Sequence, residues 1–121
     1  MTGKNVSGLV SIIVASYNHA DFLVRRMDSL INQTYQNIEI IVIDDCSPDE
    51  SVGILRQYES HPKVKLIVCD TNRGWVAVSN YGVEIAAGEF IIFANCDDAC
   101  DEYMIEKLVQ AMTNNLTAGI A

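Results

Sequence analysis

Ile40-Ile41-Val42-Ile43-Asp44-Asp45 is the stretch that decides the fold of this chain. Its four branched apolar residues do not alternate with polar ones. A half-solvated antiparallel strand would alternate, whereas a parallel strand is buried on both faces and reads as a continuous Val/Ile/Leu run. A second such run, Phe90-Ile91-Ile92-Phe93-Ala94-Asn95-Cys96-Asp97-Asp98, also ends in two aspartates. Ligands of open parallel sheets bind just beyond the carboxyl ends of the strands. Two acidic pairs at two such ends therefore predict one acidic pocket. Such a pocket can hold a divalent cation, and a cation can hold phosphates.

Outward from these runs, short apolar segments alternate with amphipathic ones, the pattern of repeated βαβ units. A first strand is predicted over about Leu9 to Ala15. The first helix follows, with Leu23, Met27, Leu30 and Ile31 on one face. The second strand is Glu39 to Ile43. Ser47-Pro48-Asp49-Glu50 predicts a helix start, with Ser47 as cap, proline at the first position and glutamate at the third. That helix should turn Val52, Leu55 and Tyr58 inward. A third strand is predicted over Val64 to Cys69. Val78, Tyr81, Gly82 and Ile85 give the third helix its period, and Gly88 is its expected stop. The fourth strand is Glu89 to Ala94. Asp101 should cap a last helix bearing Met104, Leu108, Val109 and Met112. Thr117 to Ala121 reads as the start of a fifth strand. The expectation is an α/β fold, a mainly parallel sheet of four to five strands with helices on both faces. Residues 1–121 form one domain with its core over about 9–121, the truncated N-terminal part of a longer one.

Composition narrows the function classes. The chain has 121 residues, half of them hydrophobic, and a net charge of −8. With no basic stripe to release counterions, nucleic acid is not an expected partner. The four cysteines, Cys46, Cys69, Cys96 and Cys100, form no Cys-x-x-Cys pair. They are expected as reduced thiols rather than as a zinc site. The run Leu9 to Ala15 is too short to span a membrane. Neither His19 nor His61 has a nucleophile at recognisable spacing, and both are expected to be structural. The turn after strand one, Ser16-Tyr17-Asn18-His19-Ala20-Asp21, contains no glycine, which excludes the Gly-x-Gly-x-x-Gly of dinucleotide-binding domains. Strand one ends in Ala15-Ser16 rather than in acids, which speaks against a response-regulator receiver. No P-loop is present.

A further pattern fits from Val10 to about Ile120. It is carried by Val10 to Asn18, Leu30-Ile31-Asn32-Gln33-Thr34-Tyr35, Glu39 to Ser47, Asn72-Arg73-Gly74, Asn80-Tyr81-Gly82, Ala86 to Ile91, and Asn95-Cys96-Asp97-Asp98. In these segments the chain resembles the N-terminal, nucleotide-sugar-binding half of a family 2 glycosyltransferase with the GT-A fold. The resemblance implies that Ala15, Ser16 and Tyr17 cradle the donor base, with Tyr17 as the stacking ring. It implies that Asp45 accepts a hydrogen bond from a uracil N–H; the alternative for Asp44-Asp45 is a solvated turn before the next helix. It further implies that Asp98 binds Mn²⁺ or Mg²⁺ while Asp97 reaches the ribose or a metal-bound water. Asn95 departs from the aspartate of many relatives.

Arg73 either touches the donor or is a solvated loop arginine. Gly74 is expected to need positive φ or a close approach. Trp75 either stacks on a base or sugar or anchors its loop on the core, and Asn80 either packs against the donor site or makes a structural hydrogen bond. The implied activity is inverting sugar transfer from a nucleotide-diphosphate donor, UDP first, to the hydroxyl of a saccharide or lipid-linked acceptor. The general base is expected beyond Ala121, so these 121 residues should bind donor without turning it over. The implied location is the cytoplasm, at the inner membrane face for the whole protein. The alternative is a non-catalytic module that self-associates through an open sheet edge.

Overall fold

The computed structural model describes residues 6–18, 20–94 and 100–117. Their order is β1 (Val6–Ser16), α1 (Ala20–Ile31), β2 (Ile38–Asp44), α2 (Ser51–Arg56), β3 (Val64–Val68), α3 (Trp75–Ile85), β4 (Gly88–Phe93) and α4 (Met104–Thr117). The four strands form one all-parallel sheet in the order β3-β2-β1-β4. The chain thus winds outward from β1 to β3 and then returns to the other side of β1. Such a reversal opens a crevice at the carboxyl ends of the strands.

Both faces of the sheet are covered, unequally. On one face Val10, Ile12 and Val14 of β1 and Ile40 and Val42 of β2 pack with Leu23, Met27 and Leu30 of α1, Leu55 of α2 and Ile105 of α4. On the other face Ile41 and Ile43 pack with Val78 of α3 and with Ala86. Burial on both faces explains the unbroken apolar run Ile40 to Ile43 of β2. The helical period of α1 explains Leu23, Met27 and Leu30, all buried. Gln33 then locks the C-terminal end of α1 to the start of α4. Its amide donates to Ser29 O (3.0 Å) and Asp101 O (2.7 Å), and its Oε1 accepts from Ile105 N (2.9 Å).

Several expectations are corrected. The second helix starts at Ser51, and Ser47 does not cap it. A buried carboxylate claims the Ser47 hydroxyl instead, which donates to Asp44 Oδ1 at 2.6 Å. Asp49 orders this entry by accepting from Ser51 N (3.0 Å) and Ala20 N (3.2 Å). Gly88 opens β4 rather than ending α3, which stops at Ile85 with Ala86 as C-cap. The reason is space, since a Cβ at Gly88 would stand 2.7 Å from Leu9 O and 2.6 Å from Ser11 Oγ. On α4, Met104 and Val109 pack against the core as expected, but the fully buried residue is Ile105 and Leu108 is exposed. Thr117 belongs to α4, and the rest of the expected fifth strand lies outside the described residues. Cys100 is disulfide-bonded, against the expectation of a reduced thiol; pairing follows from Cα placement, which spacing alone does not reveal. Cys46 and Cys69 are free. No helix among the described residues is long and apolar enough to cross a membrane.

Candidate functional site

Register sets the site. Ala15 pairs with Ile43 and Ser16 with Asp44 across β1 and β2, so Tyr17 and Asp45 leave the sheet side by side. Asp45 N donates to Ser16 O at 2.8 Å, which prolongs the ladder by one bond. The two neighbouring aspartates then take different roles. Asp44 is fully buried. Its carboxylate accepts from Ser16 Oγ (3.1 Å), Ser47 Oγ (2.6 Å) and Ser47 N (2.8 Å). These bonds tie the end of β1 to the turn after β2, and every donor comes from the protein. Asp44 is a structural pin rather than a residue of a solvated turn.

Asp45 is only 5 % exposed, yet it borders a cleft of about 390 Å³ lined by Ala15, Ser16, Tyr17, Asn72, Gly74, Trp75 and Val78. Its Oδ1 accepts from Arg73 N (2.7 Å) and its Oδ2 from Gly74 N (2.9 Å). Asn72 Nδ2 donates to Asp45 O at 3.2 Å. Asp45 thus shapes the 72–74 loop that forms the opposite wall. A carboxylate has about four lone-pair sites, so acceptor capacity remains for a ligand N–H.

Backbone geometry at this end of the sheet is unusual. Asn18 and Cys46 have φ of 56° and 63°, the left-handed region, and Gly74 has φ of 89°. A left-handed non-glycine residue costs on the order of 1 kcal/mol or more and persists only where its surroundings hold it. Asn18 N donates to Ser47 Oγ at 3.0 Å. Cys46 Sγ donates to Asp70 O at 3.4 Å. At Gly74 the expected positive φ is present.

Of the residues expected in the site, Ala15, Ser16, Tyr17 and Asp45 converge on this cleft. Arg73 joins them through its backbone only. Its side chain borders a separate hollow of about 240 Å³ with Val68, Cys69, Asp70, Ala77 and Tyr81. Burial pushes the Cys69 thiol above its ordinary pKa, and the Arg73 guanidinium opposes that rise. Trp75 does not anchor its loop on the core, being 73 % exposed. Asn80 borders a third cleft, of about 660 Å³, with Ile13, Ala15, Trp75, Val76, Ser79, Phe93 and Ala94. Asp97 and Asp98 lie outside the described residues, as does His19. Among the described residues no three His, Cys, Asp or Glu side chains are placed to hold a metal ion. Sequence reasoning missed the bonds from Asn72 to Asp45 and from Asn18 to Ser47, because each joins residues distant along the chain.

The model of the family described as "Glycosyl transferase family 2" matches residues 11–121. The chain belongs to this family. It is 40 % identical over 108 residues to an uncharacterized glycosyltransferase of Haemophilus influenzae, covering 88 % of this chain and 43 % of that protein. Crystal structures of S. aureus TarS 1-349 share its fold. The complex with UDP superposes with a TM-score of 0.77 at 27 % identity, over 88 % of this chain and 32 % of TarS 1-349. A complex of the same protein with UDP-GlcNAc gives 0.76 at 26 % identity, over 88 % and 31 %. The mannosyltransferase PcManGT from Pyrobaculum calidifontis, in complex with GDP-Man and Mn²⁺, gives 0.62 at 29 % identity, over 68 % of this chain and 25 % of that one. The family 2 fold seen here is thus the N-terminal part of a GT-A fold, and the chain spans less than half the length of the H. influenzae relative.

Proposed function

We propose that this chain is the donor-binding half of a glycosyltransferase that moves a sugar from a nucleotide diphosphate, UDP first, to a hydroxyl acceptor. The observation that carries this reading is the cleft at the ends of β1 and β2, where Asp45 stands beside Tyr17 with acceptor capacity left over. A uracil ring presents one N–H donor, and a desolvated carboxylate offers it a charge-assisted bond. Family membership and the UDP and UDP-GlcNAc complexes of TarS support the choice of ligand.

In this reading Ala15, Ser16 and Tyr17 form one wall around the base and the 72–74 loop forms the other. Ser16 contributes its backbone, since its hydroxyl is bound to Asp44. Arg73 acts through its amide. The Mn²⁺ of the GDP-Man complex of PcManGT supports a divalent ion, Mn²⁺ or Mg²⁺, at Asp98 with Asp97 beside it. A cation there would neutralise the leaving diphosphate as a Lewis acid, in a chain whose own charge of −8 would otherwise repel it. Transfer with inversion needs a base that deprotonates the acceptor. In this reading the base lies beyond Ala121, so the isolated chain binds donor without turnover.

Calorimetric titration of UDP, first with Mn²⁺ and then with EDTA, tests the reading. Binding that falls at least tenfold in EDTA is expected, and Asp98→Ala should reproduce the fall in the presence of Mn²⁺. Equal affinity with and without metal would remove the metal from the proposal. Transfer to a saccharide by the isolated chain would overturn the assignment of donor binding alone.

A further inference from the structure

The three clefts are not equally well accounted for by a bound nucleotide. The one beside Asp45 suits a base. The larger one, of about 660 Å³ between α3 and the end of β4, lies within the volume range of small-molecule sites, about 300–1,000 Å³. Ala15 and Trp75 border both. A ligand whose base sits against Asp45 and which extends toward the end of β4 must therefore pass Trp75.

Trp75 itself needs an explanation. It is 73 % exposed, while no other large hydrophobic side chain among the described residues exceeds Val76 at 55 %. A large aromatic face held in water forgoes the stabilisation that burial would give. Nor is it a loose side chain on a wandering loop. Trp75 opens α3, the preceding amide of Gly74 is fixed by Asp45 Oδ2 at 2.9 Å, and Val78 N closes the first turn on Gly74 O at 3.1 Å. The indole is thus built on a rigid element and presented at the rim between two clefts.

The lining of the larger cleft suggests the chemistry of its occupant. Phe93, Val76 and Ile13 supply apolar surface, and Ser79 and Asn80 supply a hydroxyl and a carboxamide. A pyranose has that same double character, C–H faces that pack on an aromatic ring and hydroxyls that need hydrogen-bond partners. We infer that Trp75 is the sugar-sensing residue of this site, a stacking platform for the pyranose of the donor as it enters the cleft between α3 and β4. The inference rests on the donor-site reading above and adds to it the residue that separates a sugar nucleotide from the bare nucleotide.

Trp75 is the sole tryptophan of the chain, so its fluorescence reports directly on the platform. The test titrates UDP, UDP-glucose, UDP-galactose and UDP-GlcNAc, each with Mn²⁺, into the unsubstituted chain, Trp75→Ala and Trp75→Phe, by calorimetry. Tryptophan emission is followed in the unsubstituted chain. At least one sugar nucleotide should bind more tightly than UDP and change the emission more than UDP does. Trp75→Ala should weaken that sugar nucleotide about tenfold more than it weakens UDP, the scale of one aromatic contact. Trp75→Phe should recover most of the difference. Equal weakening of UDP and sugar nucleotides would overturn the inference while leaving the donor site intact, as would a panel in which no sugar improves on UDP. Failure of the unsubstituted chain to bind UDP at all would overturn the donor-site reading and this inference with it.

Discussion

The two ends of the sheet are each closed by a polar knot, and the knots differ in what they leave free. At the amino end, Ser11 Oγ donates to Glu39 Oε2 and accepts from Gly88 N at 2.8 Å. Ala87 N donates to the same Glu39 oxygen at 2.8 Å. At the carboxyl end, Asp44 gathers Ser16 and Ser47, and Asp45 gathers the amides of Arg73 and Gly74. Both knots join β1, β2 and the segments flanking α3 through carboxylates, Asp44 and Asp45 buried and Glu39 partly so. Yet neither Ser11 nor Glu39 borders any of the clefts described above, whereas Asp45 does. The contrast shows that a carboxylate held by protein donors marks nothing by that alone. What distinguishes a binding position is acceptor capacity facing a cavity.

Substitutions should break or sharpen that contrast. The largest effect is expected at the amino end, where Gly88→Ala drives a Cβ into the backbone of β1. A loss of about 3 kcal/mol is expected in urea unfolding, since overpacking against backbone cannot relax cheaply. A change below about 0.5 kcal/mol would mean that β4 can shift without cost. Asp44→Ala comes next, at about 2–3 kcal/mol. It leaves the Ser16 hydroxyl and the Ser47 amide and hydroxyl without their acceptor in a buried place. If it instead unfolds like the unsubstituted chain, Asp44 is not the pin described here.

Glu39→Gln should cost about 1 kcal/mol, because it keeps an acceptor for Ser11 and loses only charge assistance. The Lys65 pair adds little to this, since at 3.8 Å with a half-exposed lysine it is a weak surface contact. Tyr58→Phe, away from both knots, should cost about 1 kcal/mol or less by removing the 2.8 Å bond from Tyr58 Oη to Asp28 Oδ1. It carries its own pH signature. Burial first, and then the Asp28 hydrogen bond, push the Tyr58 pKa up from 10.0 to about 12. The raised value favours the protonated folded state, so this contribution is complete below pH 10 and is lost as pH rises toward 12. A pH series of unfolding curves should show this alkaline loss in the unsubstituted chain and a shallower one in Tyr58→Phe. Parallel curves would contradict it.

Elements buried on a regular period were legible in the sequence. β2 and α1 could be read because every residue of the run, or every third and fourth one, faces the core. The start of α2 could not, because the Ser47 oxygen that would accept from a helix amide accepts from Asn18 N instead, 29 residues away. Local pattern favours the helix, but the bonds from the Ser47 amide and hydroxyl to Asp44 hold the side chain at the end of β2. Gly88 misled for a related reason. A glycine after a helix has the same appearance whether it ends the helix or admits a neighbouring strand, and only the position of Leu9 decides. In the candidate site, Asp45 was legible as an acid at a strand end and Tyr17 only through the family resemblance; both border one cleft. Arg73 was legible only in part, since its amide meets Asp45 while its side chain turns toward Cys69. Whether Trp75 lay in the core or in water depended on which way the first turn of α3 faces, and one residue at a helix start carries no period.

The most direct test of the donor site compares the two knots by ligand rather than by stability. Calorimetric titration of UDP, with Mn²⁺ present, would be made on the unsubstituted chain, on Asp45→Asn and on Glu39→Gln. The amide of Asp45→Asn still offers one acceptor to the loop, so the fold should survive with a loss of about 1 kcal/mol, while UDP affinity should fall at least tenfold. Glu39→Gln should lose similar stability and bind UDP unchanged. If the two variants bind UDP alike, the cleft beside Asp45 is not the donor site.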